Sequence, residues 1–272
     1  MGASQIYQLG FIGAGKLAGS LIRGLIGAKF CRPGEIIASE PNEQTRAALQ
    51  KETAVSVTAA NADTADKAKI IFLGVKPAIV LPALRELSDK LRNKVVISLA
   101  GGVRISSMEE TGNARFMRAL TNTPSAICRA ATAIARGGRT TNEDVDLAKK
   151  IFGAIGVVVE VEEEQIDAVT ALSGSGPAFI YTVIEALAKG GAKMGLADDV
   201  AMKLAIQTVL GAAALMQEGK MSPEELRKMV VTPGGTTAAG LAVMEKLGTS
   251  ESLIAAIEAA TKRGQEMAKE NS

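Results

Sequence analysis

Residues 9–19 read Leu-Gly-Phe-Ile-Gly-Ala-Gly-Lys-Leu-Ala-Gly. A short apolar run ends at Ile12, the Gly13-Ala14-Gly15 turn follows, and helical spacing starts at once with Leu17, Leu21, Ile22, Leu25 and Ile26. That order is what a pyrophosphate site needs. Gly13 permits a tight turn, Gly15 lets backbone approach a phosphate, and Ala18 keeps helix and strand close. The helix start adds free N–H groups and a partial positive charge. A glycine-rich structural turn is the alternative reading. Glu40 ends the second apolar run, where an acid accepts from the ribose hydroxyls of NAD and repels a 2′-phosphate. Its neighbours Ser39 and Asn42 are neutral, but Arg46, one helical turn on, could meet a phosphate. Glu40 therefore leans toward NADH and leaves NADPH open.

Three more strand ends carry small or polar residues. Gly74-Val75-Lys76-Pro77 and Leu99-Ala100-Gly101-Gly102 each close an apolar run, and open α/β sheets bind ligands at the carboxyl ends of their strands. A surface charge on Lys76 and a helix start at Pro77 explain the first equally well. Asn122-Thr123-Pro124 offers an amide and a hydroxyl, which an Asx-type turn also explains. Later, Ser173-Gly174-Ser175-Gly176-Pro177 and Thr232-Pro233-Gly234-Gly235-Thr236-Thr237 each place hydroxyls and flexible backbone before a helix. Such helix starts are anion sites, worth roughly 0.3–1 kcal/mol at the surface and up to ~2 when partly buried. That suits a small carboxylate. Ordinary capping loops are the alternative.

What is missing bounds the chemistry. The 272 residues include no histidine, which removes an imidazole acid or base, a Ser-His-Asp triad and a His metal site. Catalysis must then rest on a cofactor, hydroxyls, Lys, carboxylates or backbone dipoles. The net charge of +2 argues against nucleic acid or an anionic membrane as main partner. No apolar stretch is expected to reach the ~20 residues that span a bilayer, and the first residues do not read as a secretory signal. Two distant cysteines, Cys31 and Cys128, suit a reducing compartment. A soluble, cytoplasmic protein is expected.

The elements that must position these residues change character along the chain. Strand candidates are Gln8–Ile12, Glu35–Ser39, Ala54–Val57, Ile70–Val75, Val95–Leu99, Ala114–Leu120, Thr132–Ala135 and Val157–Val161. Helical patterns lie between most of them, at 15–28, 42–51, 77–91 and 142–153. Alternating strands and helices predict a doubly wound, mainly parallel Rossmann-like sheet. Beyond about 163 only helical periodicity remains, at 164–172, 177–194, 198–218, 223–230, 236–247 and 250–269. Two domains are expected, 1–163 for the dinucleotide and 164–272 all-α. Residues 200–216 are apolar nearly all round. A helix of that kind is buried, so a subunit interface between two copies is expected, with a compact bundle as the alternative.

The chain resembles the pyrroline-5-carboxylate reductases over nearly its whole length. The likeness lies in Phe11–Ala18, Val75-Lys76-Pro77, Asn122-Thr123-Pro124, Asp167–Ala178 and Pro233–Thr237, the last two in specific order and spacing. The resemblance implies reduction of L-1-pyrroline-5-carboxylate to L-proline by NAD(P)H. It also implies a Rossmann domain followed by a helical dimerisation domain, dimers often assembled into decamers, and a substrate near the dimer interface facing the nicotinamide. It carries cofactor binding onto Ile12, Gly13, Ala14, Gly15, Lys16, Leu17, Ser39, Glu40, Asn61, Gly74, Val75, Lys76, Pro77, Leu99, Ala100, Gly101 and Asn122. Substrate binding falls on Ser173, Ser175, Thr232, Gly234, Gly235, Thr236 and Thr237, with Thr237 as the hydroxyl that bonds the ring nitrogen. No metal is implied.

Three positions depart from the family pattern. Glu40 stands where Ser or a small or basic residue is common, Lys228 where an acid is usual, and Thr232 where Ser is common. Two other readings stay open: a β-hydroxyacid-dehydrogenase-like oxidoreductase with a catalytic lysine such as Lys189 or Lys193, and a non-catalytic nucleotide-sensing dimer.

Overall fold

The computed structural model describes residues 6–271. Its strands are β1 (Tyr7–Ile12), β2 (Ile36–Ser39), β3 (Ser56–Thr58), β4 (Ala68–Leu73), β5 (Val95–Ser98), β6 (Arg115–Leu120), β7 (Ala130–Arg136) and β8 (Gly156–Glu160). They form one sheet in the order β3-β2-β1-β4-β5-β6-β7-β8. Every neighbouring pair is parallel except β6 with β7. The order reverses direction at β1, so the carboxyl ends of β1 and β4 open onto the crevice where such sheets take ligands.

Side-chain alternation sends successive residues to opposite faces. Phe11, Phe72 and Ile97 belong to one cluster with Leu21, Ile22 and Leu25 of α1 (Lys16–Gly27). Ile12, Ile71 and Val96 belong to the other, with Val80 and Leu84 of α4 (Pro77–Glu86). Phe11 and Phe72 stack at 4.7 Å between ring centres. Each fully buried Leu or Ile contributes roughly 1.5–3 kcal/mol, so the two aliphatic faces fix the strand register and, with it, the loops at the strand ends.

The other helices of this part are α2 (Glu43–Thr53), α3 (Asn61–Lys67), α5 (Ser88–Leu91), α6 (Ile105–Glu109), α7 (Asn142–Gly153) and α8 (Ile166–Val169). Several of them depart from the periodicity. The segment expected as one helix over 77–91 breaks at Leu87 (φ −100°, ψ 5°) into α4 and α5. Helix α3 was not expected: it is seven residues long and buries only Thr64 and Ala65, too little for an apolar stripe to register. The helix expected over 164–172 is a sequence of three turn types: a 3₁₀ turn at Glu163–Gln165, α8, and a π-turn at Thr170–Gly174.

The remaining helices are α9 (Gly176–Lys193), α10 (Asp198–Glu218), α11 (Pro223–Val230), α12 (Thr236–Lys246) and α13 (Thr249–Glu270). By contacts the chain divides into two compact units. One holds the residues up to Ser175 together with those from Glu258 onward, and the other holds Gly176–Ile257. In the second unit α9 and α10 pack through alanines: Ala188, Ala201 and Ala205 form its buried cluster. Large apolar side chains stay exposed there, among them Leu187, Leu204, Leu210 and Met216. Contrary to expectation, one helix among the described residues, α10, is long and apolar enough to cross a bilayer. It has 21 residues, and an 18-residue stretch within it has a mean hydropathy of 1.4 and is 11% buried.

Candidate functional site

The loop after β1 is shaped first by the chain's own packing. Gly13 has φ +83°, and a Cβ there would lie 2.7 Å from Val75 Cγ1. A Cβ on Gly74 would meet Ala18 Cβ at 2.9 Å. Backbone bonds tie the strand ends together: Gly13 N–H donates to the Ser39 carbonyl (2.9 Å) and Gly74 N–H to the Ile12 carbonyl (2.8 Å). Gly15 is different. Among the described residues nothing lies within 4 Å of a Cβ built there, and it caps α1 without any side-chain hydrogen bond. No packing contact among the described residues requires glycine at this position. Lys16 is exposed, Leu17 half-buried, and Ile12 and Ala14 buried, so the last two present only backbone.

Glu40 is drawn onto this loop. Its Oε2 accepts from Ala14 N–H (3.2 Å) and its Oε1 from Asn42 N–H (3.0 Å). Arg46 is held alongside, Nη1 donating to the Glu40 and Pro41 carbonyls at 2.7 and 3.2 Å. Ser39 is fully buried and donates to Asn61 Oδ1 (2.8 Å), so its hydroxyl points into the protein. At the neighbouring strand ends Lys76 is exposed and caps α4, with Pro77 at its first position. Leu99 and Ala100 bury their side chains after β5, and Gly101 is half-buried.

Asn122, just past β6, is buried and its amide is engaged at both ends. Oδ1 accepts from Ala131 N–H (3.1 Å) and Nδ2 donates to the Ser173 carbonyl (3.0 Å). Ser173 turns its own hydroxyl back to the Val169 carbonyl (3.0 Å). Ser175 Oγ makes no hydrogen bond among the described residues, and its N–H closes the π-turn on the Thr170 carbonyl (2.8 Å).

Sequence reasoning missed an ionic cluster beside this segment. Arg118 of β6 is fully buried and donates to Glu163 Oε1 (3.3 Å), which also accepts from Ile105 N–H (2.6 Å) at the start of α6. Arg104 pairs with the buried Asp167 at 3.4 Å. Arg118 Nε and Nη2 and Asp167 Oδ1 are buried without partners among the described residues. Burial pulls the Arg118 guanidinium below its ordinary value, opposed by the charges of Glu163 and Asp167. The signal was legible: one arginine inside Phe116-Met117-Arg118-Ala119-Leu120 has to find a carboxylate when the strand is buried.

In the second unit Gly235 caps α12 with no side-chain hydrogen bond, which leaves the N–H groups around Thr236 and Thr237 turned outward. Gly234 has φ +69°, and Gly235 N–H donates to the Thr232 carbonyl (3.0 Å). Thr237 is half-exposed; Thr232, Gly234 and Thr236 are exposed. Lys228 pairs with Glu224 at 2.7 Å on the surface of α11. With Arg227 it fills the last turn of that helix, where cations complement the dipole. The departure at Lys228 therefore has a local helical reason.

Residues 163–267 match the family model described as pyrroline-5-carboxylate reductase dimerisation, and residues 8–102 one described as NADP oxidoreductase, coenzyme F420-dependent. The chain is 39% identical over 266 residues to pyrroline-5-carboxylate reductase of Pisum sativum, covering 97% of each. The chain belongs to the pyrroline-5-carboxylate reductase family. The Synechocystis reductase is 41% identical over 263 residues, covering 96% of this chain and 98% of that relative. Among solved structures, a Plasmodium falciparum pyrroline carboxylate reductase with NADP bound superposes with a TM-score of 0.89 at 28% identity, over 98% of this chain and all of that one. A Coxiella burnetii pyrroline-5-carboxylate reductase superposes at 0.87 and 34% identity, covering 97% and 99%. The family reading of the sequence and its Rossmann-plus-helical fold are thus both met.

Proposed function

We propose that the chain reduces L-1-pyrroline-5-carboxylate to L-proline by hydride transfer from NAD(P)H. The observation within the structure that carries this is Gly15, a glycine that the protein's own packing does not demand, at the uncapped start of a helix. When bound, the nicotinamide supplies the hydride. The pyrophosphate falls to the free N–H groups of Gly15, Lys16 and Leu17 at the start of α1, with Gly13 and Ala14 shaping the turn through their bonds to the Ser39 carbonyl and Glu40, and the ribose to Glu40, in the pocket shaped by Ser39 and Asn61. Gly74–Pro77 and Leu99–Gly101 present backbone to the rest of the dinucleotide. Glu40 favours NADH, while the Plasmodium relative was solved with NADP.

The substrate carboxylate falls to the outward N–H groups and hydroxyls at Thr232 and Gly234–Thr237, with Ser175 offering a further hydroxyl. The ring nitrogen must carry a proton as the imine becomes an amine. Thr237 is too weak an acid to supply it outright; it orients an imine that arrives protonated, or relays a proton from water. Ser173 contributes by its place in the chain, since its hydroxyl is already bonded. Pairing of two copies through the helical domain 164–272 accounts for the exposed Leu187, Leu204 and Leu210 and for the apolar, exposed α10. The same contact explains that helix without a membrane. Higher assembly up to a decamer and a cytoplasmic location belong to this reading.

The test is a steady-state assay with pyrroline-5-carboxylate and each nucleotide, with sedimentation of the same sample. Pyrroline-dependent oxidation of NADH or NADPH by a dimer or larger assembly is the expected result. Nucleotide binding without turnover would favour the sensing reading instead.

A further inference from the structure

The carbonyl of Ser173 has a chemical problem that the sequence creates. The helical path runs from α8 through the π-turn into α9, and in a continued α-helix the Ser173 carbonyl would accept from the N–H of residue 177. Residue 177 is proline and has no N–H. The donor is supplied from another element: Asn122 Nδ2, 3.0 Å away. The other end of that amide is fixed too. Beyond Leu120, which pairs with Ala133, the Asn122 Oδ1 takes the Ala131 N–H that continues the β6–β7 ladder (3.1 Å). Asn122 is 8% exposed, with both amide ends spent on the chain's own backbone.

A second attachment lies ten residues earlier. Arg118 grips Glu163 at 3.3 Å. Arg118 and Asn122 are four residues apart on an extended path, so they share one face of the sheet and stand about 13 Å apart. Glu163 to Ser173 spans ten steps of helical turns, about 15 Å. The two lengths match, so β6 grips the segment near its start and at its end. Together with the Arg104–Asp167 pair between them, these two attachments fix the segment's direction. Past Ser173 the π-turn closes at Gly174, Ser175 N–H is bonded to the Thr170 carbonyl (2.8 Å) and α9 starts at Gly176, so Ser175 is carried by the same turn whose Ser173 carbonyl Asn122 holds.

We infer that Asn122 is a positioning residue: it holds the Ser173 carbonyl that Pro177 leaves without a donor, and so aims the Ser173–Gly176 loop at the substrate rather than contacting the cofactor. This rests on the assignment of that loop to substrate binding.

Asn122→Asp is isosteric. It keeps the acceptor for Ala131 N–H and sets a carboxylate oxygen against the Ser173 carbonyl. Wild type and variant are compared for NADPH affinity by fluorescence titration, and for KM and kcat with pyrroline-5-carboxylate. A rise of tenfold or more in the KM for pyrroline-5-carboxylate, with the NADPH dissociation constant within twofold of wild type, is expected. An unchanged KM, or NADPH affinity falling by the same factor as kcat/KM, overturns the inference. Should Asn122→Asp fail to fold, Asn122→Ala gives the same split with a smaller rise. Wild-type protein without pyrroline-dependent turnover would instead defeat the functional reading itself.

Discussion

Glu40 Oε2 accepts the Ala14 N–H at 3.2 Å, which fastens the carboxylate at the end of β2 to the middle of the turn after β1. The acid braces the turn and, on the proposed function, would set a negative charge where an adenosine 2′-substituent arrives. Arg46 is held alongside by Nη1, which donates to the Glu40 and Pro41 carbonyls. Glu40→Ser is expected to shift the ratio of kcat/KM for NADPH over NADH upward by about tenfold or more, each tenfold being ~1.4 kcal/mol of differential binding. Steady-state kinetics with both nucleotides check this. An unchanged ratio would restrict Glu40 to bracing the turn.

Thr237 sits in the first turn of α12, where no side chain caps the helix. If its hydroxyl orients the imine nitrogen, Thr237→Ala should lower kcat by up to the ~10²–10⁴ typical of proton-transfer assistance, with NADPH affinity nearly unchanged. Thr237→Ser should keep most of the activity. Equal loss of cofactor binding would remove Thr237 from this role.

Much of this was readable from residue types, and the unread parts have physical reasons. All eight strand candidates overlap observed strands, because parallel strands covered on both faces are near-continuous apolar runs. Helices α3 and α6 were not seen: seven and five residues are too few for a 3.6-residue period to declare itself. Which way a polar side chain turns at a strand end was also hidden. Ser39 and Asn122 look alike as ligand contacts in the sequence, yet one hydroxyl points inward to Asn61 and the Asn122 amide is spent on Ala131 and Ser173. Those partners lie 9 to 51 residues away, beyond any local pattern.

Asp144 links α7 to β6. Its Oδ2 and Oδ1 accept from Arg115 Nε and Nη2 at 2.6 and 3.1 Å, and it closes the capping box with Thr141. Burial pushes its carboxyl up, but the bonds from Arg115 and Thr141 outweigh this and hold it below the ordinary aspartate range. A depressed acid contributes stability above its unfolded value and loses it as pH falls through the folded one. Asp144→Asn should therefore cost about 1–3 kcal/mol at neutral pH, a difference that shrinks below about pH 4. Urea denaturation of both proteins at pH 7 and at pH 3 measures it. A constant gap across that range would mean that the pair contributes nothing through charge.

Cys31 and Cys128 are free and both half-buried. At Cys31, burial first and the Glu35 charge second push the thiol up to about 11. The thiolate is the reactive form, so at pH 8 an acidity two units weaker than an ordinary thiol should slow alkylation about a hundredfold. Iodoacetamide labelling, read by mass spectrometry on the peptide carrying Cys31, should show this lag. Because Glu35 is held by Arg32 at 3.1 Å, Glu35→Gln removes a charge without opening the burial. It should recover only the smaller part of the rate, the larger part returning only on unfolding. Labelling of Cys31 in the folded protein at the rate of an unfolded control would show that its environment leaves the thiol unprotected.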